Sequence, residues 1–315
     1  MQTSQVIRRM KDSLFLHAHL LSAYAVAAIF LTLFLFLTDA ALPALEKFGW
    51  RFFTTAAWDP VHEVFGGLTP LYGTLVSSAI AVILAIPLSF GMAYFLTQIT
   101  RGRVAKVLRI LIELLAGVPS IIYGMWGLLV LATVFAQHVQ PLLTDTLGAI
   151  PIIGEFFQGP PTGINLLMAG TVLGIMILPF ITSVMQDAFA IVPKDLIEAA
   201  YATGATRWEV VWYVILPYTR FAVFGGVMLG LGRALGETMA VTFVIGNAGL
   251  FSKSFLMPGA TLSSVLANEF AEANGELYLS SLITLGLMLF ILTFLVIALS
   301  KLILIRLKNK EGAHG

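Results

Sequence analysis

Six long apolar segments dominate the sequence, and each is long enough to cross a lipid bilayer. A helix rises 1.5 Å per residue, so about 20 residues cross the roughly 30 Å of hydrocarbon. Charged residues are 11% of the chain and hydrophobic residues 58%, whereas soluble domains are about 25% charged. We therefore predict an all-α membrane protein with six transmembrane helices, near 19–41, 71–97, 110–136, 163–186, 217–246 and 279–302.

The first segment follows the basic residues Arg8, Arg9 and Lys11, as a cleaved signal peptide would. Its apolar run from Leu20 to Leu37 is longer than the roughly 7–15 residues of a signal-peptide core. The length favours an uncleaved first span over a cleaved signal peptide.

The basic residues are distributed unevenly between the two sides of the predicted membrane. With the N-terminus in the cytoplasm, fourteen of the 18 Lys and Arg residues fall on the cytoplasmic side. The outer side carries only Lys47, Arg51 and Lys253, and Arg233 lies within the fifth span. This asymmetry follows the positive-inside rule and predicts both termini in the cytoplasm.

The chain has no cysteine and five scattered histidines, so we expect no disulfide and no metal site. We also expect no nucleic-acid partner. The outer loops are long: residues 42–70 are rich in aromatic side chains, and residues 247–278 carry Glu269, Glu272 and Glu276. They either connect the spans or form a docking face for an extracytoplasmic partner.

The loop at 187–216 contains helix start and stop signals in close succession. Pro193 suits the first turn of a helix, and the helix formers that follow include Glu198, Ala199 and Ala200. Gly204 permits a sharp break at a helix end, and a second amphipathic segment then runs to Pro217. We predict a helix–glycine–helix elbow on the cytoplasmic side, between the fourth and fifth spans.

The elbow resembles the EAA loop of ABC importer permeases, on Glu198-Ala199-Ala200, then Gly204, then Leu216-Pro217. Val214 stands where that family usually has Ile. The resemblance implies that these residues form the coupling helix, which sits in a groove of an ATPase subunit. An ordinary interfacial amphipathic loop is the alternative.

The sequence contains no Gly-Lys dipeptide, and a P-loop requires one. We therefore expect no catalytic residue and no bound cofactor in this chain, and ATP hydrolysis by a partner.

Arg233 lies near the middle of the fifth predicted span, and Glu237 follows one helical turn later. A charge at the bilayer centre costs about 2.5–3.5 kcal/mol on insertion scales. The pair is either an internal salt bridge that fixes packing, or Arg233 lines an anion path through bidentate N–H donors while Glu237 orients it. The glycine pairs Gly226–Gly230 and Gly232–Gly236 have the spacing of close helix contacts.

Residues 229–242, 113–127 and 267–272 closely resemble the PstC-type permease family of bacterial phosphate importers. The resemblance extends from about Leu68 to Lys310. It implies the type I ABC importer permease fold, with spans two to six as the shared core. It also places the family's transport-linked arginine and glutamate on Arg233 and Glu237, with Thr238 beside them.

Ser120 and Tyr123 follow the break at Pro119 in the third span and are candidates to donate hydrogen bonds inward. Glu113, at the inner end of that span, has either a membrane-interface or packing role or a transport-linked one.

The resemblance further implies an inner-membrane complex that imports phosphate by alternating access. Its other members would be a second permease of PstA type, an ATPase dimer of PstB type and a periplasmic binding protein of PstS type. Lipid would surround the spans. We divide the chain into an N-terminal part at 1–70, a transmembrane domain at 71–302 with coupling helices near 193–216, and a cytoplasmic tail at 303–315.

Three other functions remain open at this stage. A permease for sulfate or molybdate would use the same arginine chemistry. An ion-coupled carrier or anion channel would need no ATPase, and the elbow argues against it. An intramembrane enzyme would need a catalytic constellation, and we find no HExxH motif and no pair of aspartates within the spans.

Overall fold

The computed structural model describes the backbone of residues 2–100 and 102–312, and the side chains of residues 15–100 and 102–306. Several basic residues of the predicted charge asymmetry therefore lie outside the described side chains: Arg8, Arg9, Lys11, Arg101, Lys308 and Lys310. Within the described ranges the protein is helical. Its only extended pairings there are two isolated β-bridges, Asp59 with Val64 and Gly246 with Gly259.

Fourteen α-helices follow one another along the described chain. They are α1 Gln2–Phe48, α2 Arg51–Thr54, α3 Leu68–Tyr94, α4 Gly102–Ala116, α5 Ser120–Trp126, α6 Ala132–Val134, α7 Gln140–Thr146, α8 Leu166–Ala190, α9 Lys194–Ala202, α10 Arg207–Val210, α11 Leu216–Leu235, α12 Met239–Val244, α13 Leu262–Glu269 and α14 Glu276–Gly312. Four π-helical segments extend or join them, at Phe95–Ile99, Gly127–Leu131, Phe135–Val139 and Val211–Ile215. A 3₁₀ turn covers Ile153–Phe157.

The predicted number of spans is confirmed, because six helical runs of the described chain are long and apolar enough to cross a membrane. They are Phe15–Phe48, Leu68–Ile99, Ser120–Thr146, Leu166–Ala190, Arg207–Leu235 and Glu276–Arg306. Four of them lie within a few residues of the predicted spans or extend beyond them. The proposed boundary between residues 302 and 303 falls inside α14, which continues to Gly312.

The third span begins later than predicted. Residues 110–116 belong to α4, a separate amphipathic helix, and the span itself starts at Ser120. Pro119 disfavours helical geometry at the residue before it, and Gly117 and Val118 form a turn onto the carbonyls of Leu114 and Leu115. Glu113 is consequently an exposed residue of α4, and no part of a membrane span.

The fifth span ends eleven residues earlier than predicted. α11 stops at Leu235, and α12 is a separate short helix that starts at Met239. Two low-propensity glycines lie near this end, Gly232 and Gly236, and Gly236 occupies the C-cap of α11. Arg233 is therefore in the last turn of a helix, whereas the sequence placed it in the middle of a continuous one.

α8 is the central and most deeply buried span of the described chain, and it packs between α3 and α11. Glycines permit the close approach. A Cβ atom on Gly226 would lie 3.0 Å from Val184, and one on Gly230 would lie 2.6 Å from Ile181. The close contact predicted for Gly226–Gly230 is thus present, whereas a Cβ atom on Gly232 would meet nothing within 4 Å.

A second apolar cluster connects the outer loop after α1 with α13 and α14, through Phe52, Phe65, Leu262 and Leu285. Glu269 fastens this region, because its Oε2 accepts hydrogen bonds from Trp58 Nε1 at 2.6 Å and from the Tyr278 hydroxyl at 2.7 Å. The outer loop is therefore built into the fold by specific contacts.

We expect Gly73→Ala to destabilise the protein more than Gly91→Ala, although both glycines lie on α3. A Cβ atom on Gly73 would collide with the backbone carbonyl of Ala260, whereas a Cβ on Gly91 would meet nothing within 4 Å. Overpacking of this kind costs about 1–3 kcal/mol, which corresponds to a fall of roughly 3–10 °C in melting temperature. The measurement is thermal unfolding of the purified protein in detergent.

Gly91→Ala serves as the matched control, because alanine is the better helix former at an open position. Its melting temperature should equal or exceed that of the parent protein. Equal losses in the two variants would contradict the packing that we describe for α3.

Candidate functional site

Three of the predicted transport residues, Arg233, Glu237 and Thr238, lie at a corner between α11 and α12. The helix ends at Leu235, and the backbone N–H of Glu237 donates to the carbonyl of Ala234 at 3.3 Å, which tightens the last turn. The chain then passes through Thr238 and re-enters a helix at Met239. Because α11 ends at this corner, Arg233 lies in the last turn of α11, whereas Glu237 lies in the connection that precedes α12.

Arg233 is half-buried, and no carboxylate neutralises it within the described part of the chain. Ion pairs found there include Lys47 with Glu63 and His62 with Asp59. The Arg233 guanidinium carbon lies 4.3 Å from the centre of the Phe180 ring, on α8. Its Nε atom is buried without a hydrogen-bond partner, and such a donor is costly to leave unsatisfied.

Glu237 bonds to the backbone instead of pairing with Arg233. Its Oε1 accepts a hydrogen bond from the Ala240 N–H at 3.2 Å, at the start of α12. Its carbonyl accepts from the Ser263 hydroxyl at 2.7 Å, which connects the corner to α13. The predicted relation of Arg233 and Glu237 along one helix face is therefore wrong, because α11 ends between them.

Of the remaining predicted pathway residues, Thr238 lies at the same corner, and Ser120 and Tyr123 lie on α5, which packs against α12. Thr238 is the N-cap residue of α12, and its carbonyl accepts from the Thr242 hydroxyl at 2.7 Å. α5 packs directly on α12, where a Cβ on Gly124 would lie 2.9 Å from the Ala240 Cα atom. This contact brings Tyr123, the residue before Gly124, to the corner.

Ser120 and Tyr123 occupy the first turn of α5, and both are half-buried. The Tyr123 hydroxyl donates to the carbonyl of Leu115 at 2.9 Å. This bond connects α5 to α4 across the break at Pro119. The Tyr123 hydroxyl therefore holds α5 to α4, whereas the sequence suggested that this hydroxyl points inward, toward a transport pathway.

The elbow has the predicted helix–glycine–helix geometry. α9 ends at Ala202, and Gly204 adopts φ +90°, a left-handed conformation that other residues rarely tolerate. The Ala205 N–H donates to the Ala200 carbonyl at 3.1 Å and closes the turn. Thr206 then caps α10 in a reciprocal pair with Glu209.

Most of the elbow's surface is exposed. Glu198, Ala199 and Gly204 are exposed, and Ala200 is half-buried. The sequence suggested that one helix ends at Pro217 and the next begins there, but the structure has no break at that residue. The helix runs from α10 through the π-helical segment Val211–Ile215 into α11, with Leu216 and Pro217 in the first turn of α11. The second half of the elbow, from Arg207 onward, therefore forms one helical run with the fifth span.

Sequence reasoning missed Phe180 and Ser263, the two side chains that contact Arg233 and Glu237 from other helices. Phe180 follows Pro179 in an apolar span, and Ser263 follows Leu262 in α13. Neither residue has a distinctive local pattern. Their role arises from the register between packed helices, which no sequence signal reveals.

Comparison with known proteins identifies a family for this arrangement. Residues 85–309 match the family described as binding-protein-dependent transport system inner membrane component. In structure, the chain is similar to a chain of the MetNI methionine ABC transporter, with a TM-score of 0.53 and 17% sequence identity. That alignment covers 75% of this chain and 93% of the other. It confirms the predicted fold of a type I ABC importer permease.

Relatives named phosphate transport system permease protein PstC occur in distant organisms. The chain is 53% identical to one from Xylella fastidiosa over 269 residues, 85% of this chain and 83% of that protein. It is 46% identical to one from Haemophilus influenzae over 301 residues, which cover 96% and 95%. A protein of Methanocaldococcus jannaschii, named as a probable PstC, is 36% identical over 279 residues and covers 87% of each.

These similarities extend over nearly the whole chain and include both the corner at Arg233 and the elbow at Gly204. The protein is therefore a multi-pass membrane protein, and it belongs to the family of binding-protein-dependent transport system inner membrane components, among its PstC-type permeases.

Proposed function

We propose that this chain is the permease subunit through which an ATP-driven importer moves inorganic phosphate from the periplasm to the cytoplasm. The observation that carries the proposal is Arg233, a half-buried cation without a carboxylate partner among the described residues. It lies in a chain 46–53% identical to proteins named as phosphate permeases. A guanidinium matches an oxyanion through paired N–H donors and stays charged when desolvated.

The corner suits transient binding of an anion. Arg233 supplies the positive charge, and Glu237 lies four residues further on, where its own negative charge limits how tightly an anion is held. A transport site has to bind strongly enough to admit the ion and weakly enough to release it. Thr238 lies at the corner, and Ser120 and Tyr123 lie on α5, which packs against α12. The hydroxyls of Thr238 and Ser120 contribute to the proposed pathway, and Tyr123 supports it by holding α5 to α4.

The proposed complex contains four other components. They are a second permease of PstA type, two copies of an ATPase of PstB type and a periplasmic phosphate-binding protein of PstS type. In this arrangement both termini of the chain lie in the cytoplasm of an inner-membrane complex. The binding protein delivers phosphate at the outer face, and ATP binding closes the ATPases.

The elbow is the proposed contact with the ATPase. Its residues Glu198, Ala199 and Gly204 are exposed, and the helical run that follows them leads from Arg207 to Leu235. Energy is supplied by the partner, because the chain has no Gly-Lys dipeptide for a P-loop.

Uptake by the reconstituted complex tests this function. The chain is incorporated into liposomes with the products of its neighbouring genes, and uptake of labelled phosphate is measured with and without ATP. We expect ATP-dependent uptake that a large excess of sulfate leaves unchanged. Strong competition by sulfate would identify a permease for another oxyanion, and uptake without ATP would identify a carrier or channel.

We expect Arg233→Gln to reduce ATP-driven phosphate uptake at least about 100-fold. Glutamine keeps a polar side chain but removes the charge, and an interaction with an ion in a desolvated site is worth several kcal/mol. Assembly of the complex, measured by co-purification of its subunits, should not change.

Arg220→Gln is the matched control, because Arg220 is an exposed arginine on the same helix. Its uptake should stay within about twofold of the parent complex, since the site keeps its charge. Normal uptake by an assembled Arg233→Gln complex would refute the pathway role.

We also expect Gly204→Val to weaken the association of the ATPase and to lower uptake about 5- to 30-fold. A left-handed backbone costs a residue with a side chain about 1–2 kcal/mol, so the elbow changes shape. Gly102→Val is the control, because Gly102 has φ +72° and equally open surroundings but lies outside the elbow. If both variants lose the ATPase equally, the loss reflects general strain and contradicts a specific role for the elbow.

A further inference from the structure

The contact between Arg233 and Phe180 differs from the other cation–aromatic contacts in the described chain. Lys47 lies over Phe48 and Arg220 lies over Phe221, which are sequence neighbours. Arg233 and Phe180 are on different helices, and their separation of 4.3 Å is the shortest of the three. A contact of this kind is attractive when the cation lies within about 6 Å of the ring centre.

The packing of α8 fixes the position of this ring. The Leu178 carbonyl, two residues before Phe180, accepts hydrogen bonds from Ser89 of α3 at 3.1 Å and from Thr182 at 2.8 Å. Ile181, the residue after Phe180, is fully buried against Gly230 of α11. Phe180 is thus held between an anchor to α3 and the closest approach of α11.

An aromatic ring differs from a carboxylate in what it does to a cation. The ring attracts the guanidinium through its quadrupole and carries no net charge. The positive charge of Arg233 is therefore held in place but not neutralised. A carboxylate in the same position would compete with an incoming anion, and Glu237 instead accepts a hydrogen bond from the Ala240 backbone.

We propose that Phe180 is a positioning residue that holds the Arg233 guanidinium ready for an oxyanion by a cation–π contact between α8 and α11. The inference rests on the proposed transport of phosphate past Arg233. If Phe180 has this role, the electron density of its ring, and not only its size, affects the rate of phosphate transport.

Graded fluorination of the ring tests this inference. Phe180 is replaced by phenylalanine carrying one, two or three fluorine atoms, which withdraw electron density in steps and change the shape of the ring little. We expect the rate of ATP-driven phosphate uptake at saturating phosphate to fall stepwise along the series. The removal of the contact by Phe180→Leu should lower the rate about 5- to 30-fold, and Phe180→Tyr should keep most of it.

The same fluorinated residues at Phe90 provide the control. Phe90 is half-buried on α3 and contacts the ring of Phe189 at 5.4 Å. Uptake should not follow the degree of fluorination there. A flat fluorination series at Phe180 would overturn the inference, as would a Phe180→Leu complex with the parent rate.

The outcomes for Arg233 and Phe180 can be told apart. If Arg233→Gln is inactive and the fluorination series is flat, the pathway role stands and the positioning role of Phe180 is wrong. If an assembled Arg233→Gln complex transports phosphate normally, the proposed pathway itself is wrong, whatever the series shows.

Discussion

The close packing of α8 against α3 and α11 determines where Arg233 and Phe180 lie relative to each other. Gly226 and Gly230 let α11 approach Val184 and Ile181 of α8, and in lipid such van der Waals contact is a main source of helix association. A side chain at Gly230 would have to displace the Ile181 side chain or push α11 outward, and the second change would carry Arg233 away from Phe180. The Ser89 bond to the Leu178 carbonyl fixes α8 on its other side. The position of the charge therefore depends on two uncharged interfaces.

Arg233 and Glu237 show how a membrane protein can keep two charges close in sequence without joining them as an ion pair. A continuous helix would have placed them one turn apart and allowed them to neutralise each other. The break at Gly236 places Glu237 at the start of α12, where Ala240 donates to it, while Arg233 lies over an aromatic ring. Each charge is stabilised by an uncharged group, so neither charge is neutralised. An anion site in a low-dielectric region needs such a charge, because a neutralised arginine would attract an anion only weakly.

Local patterns in the sequence predicted the spans and the elbow, because their signals lie within short windows. Apolar length predicts a membrane helix, and Pro193 and Gly204 indicate where the elbow begins and bends. The same approach misplaced the start of the third span, although it noted the break at Pro119, and it missed the break at residues 236–238. Apolar runs of 27 and 30 residues look alike whether one helix or two form them. The pairing of Arg233 with Glu237 was wrong for this reason. Phe180 could not be predicted at all, because the register between α8 and α11 depends on packing across helices that are distant in sequence.

The course of the fifth span suggests how the two candidate sites act together in the proposed importer. A single helical run begins at Arg207 in the elbow and ends at Leu235, with Arg233 in its last turn. The 26 residue steps from Arg207 to Arg233 span roughly 40 Å at 1.5 Å per residue. When a helical run of that length moves as one body, a small tilt at the elbow becomes a larger displacement at Arg233. Because Phe180 stays on α8, which is anchored to α3, such a tilt would change the distance between the guanidinium and the ring. Movement of the ATPase would then change the cation–π contact between Phe180 and Arg233. Binding of the anion at Arg233 would thereby be coupled to the position of the elbow through one helix.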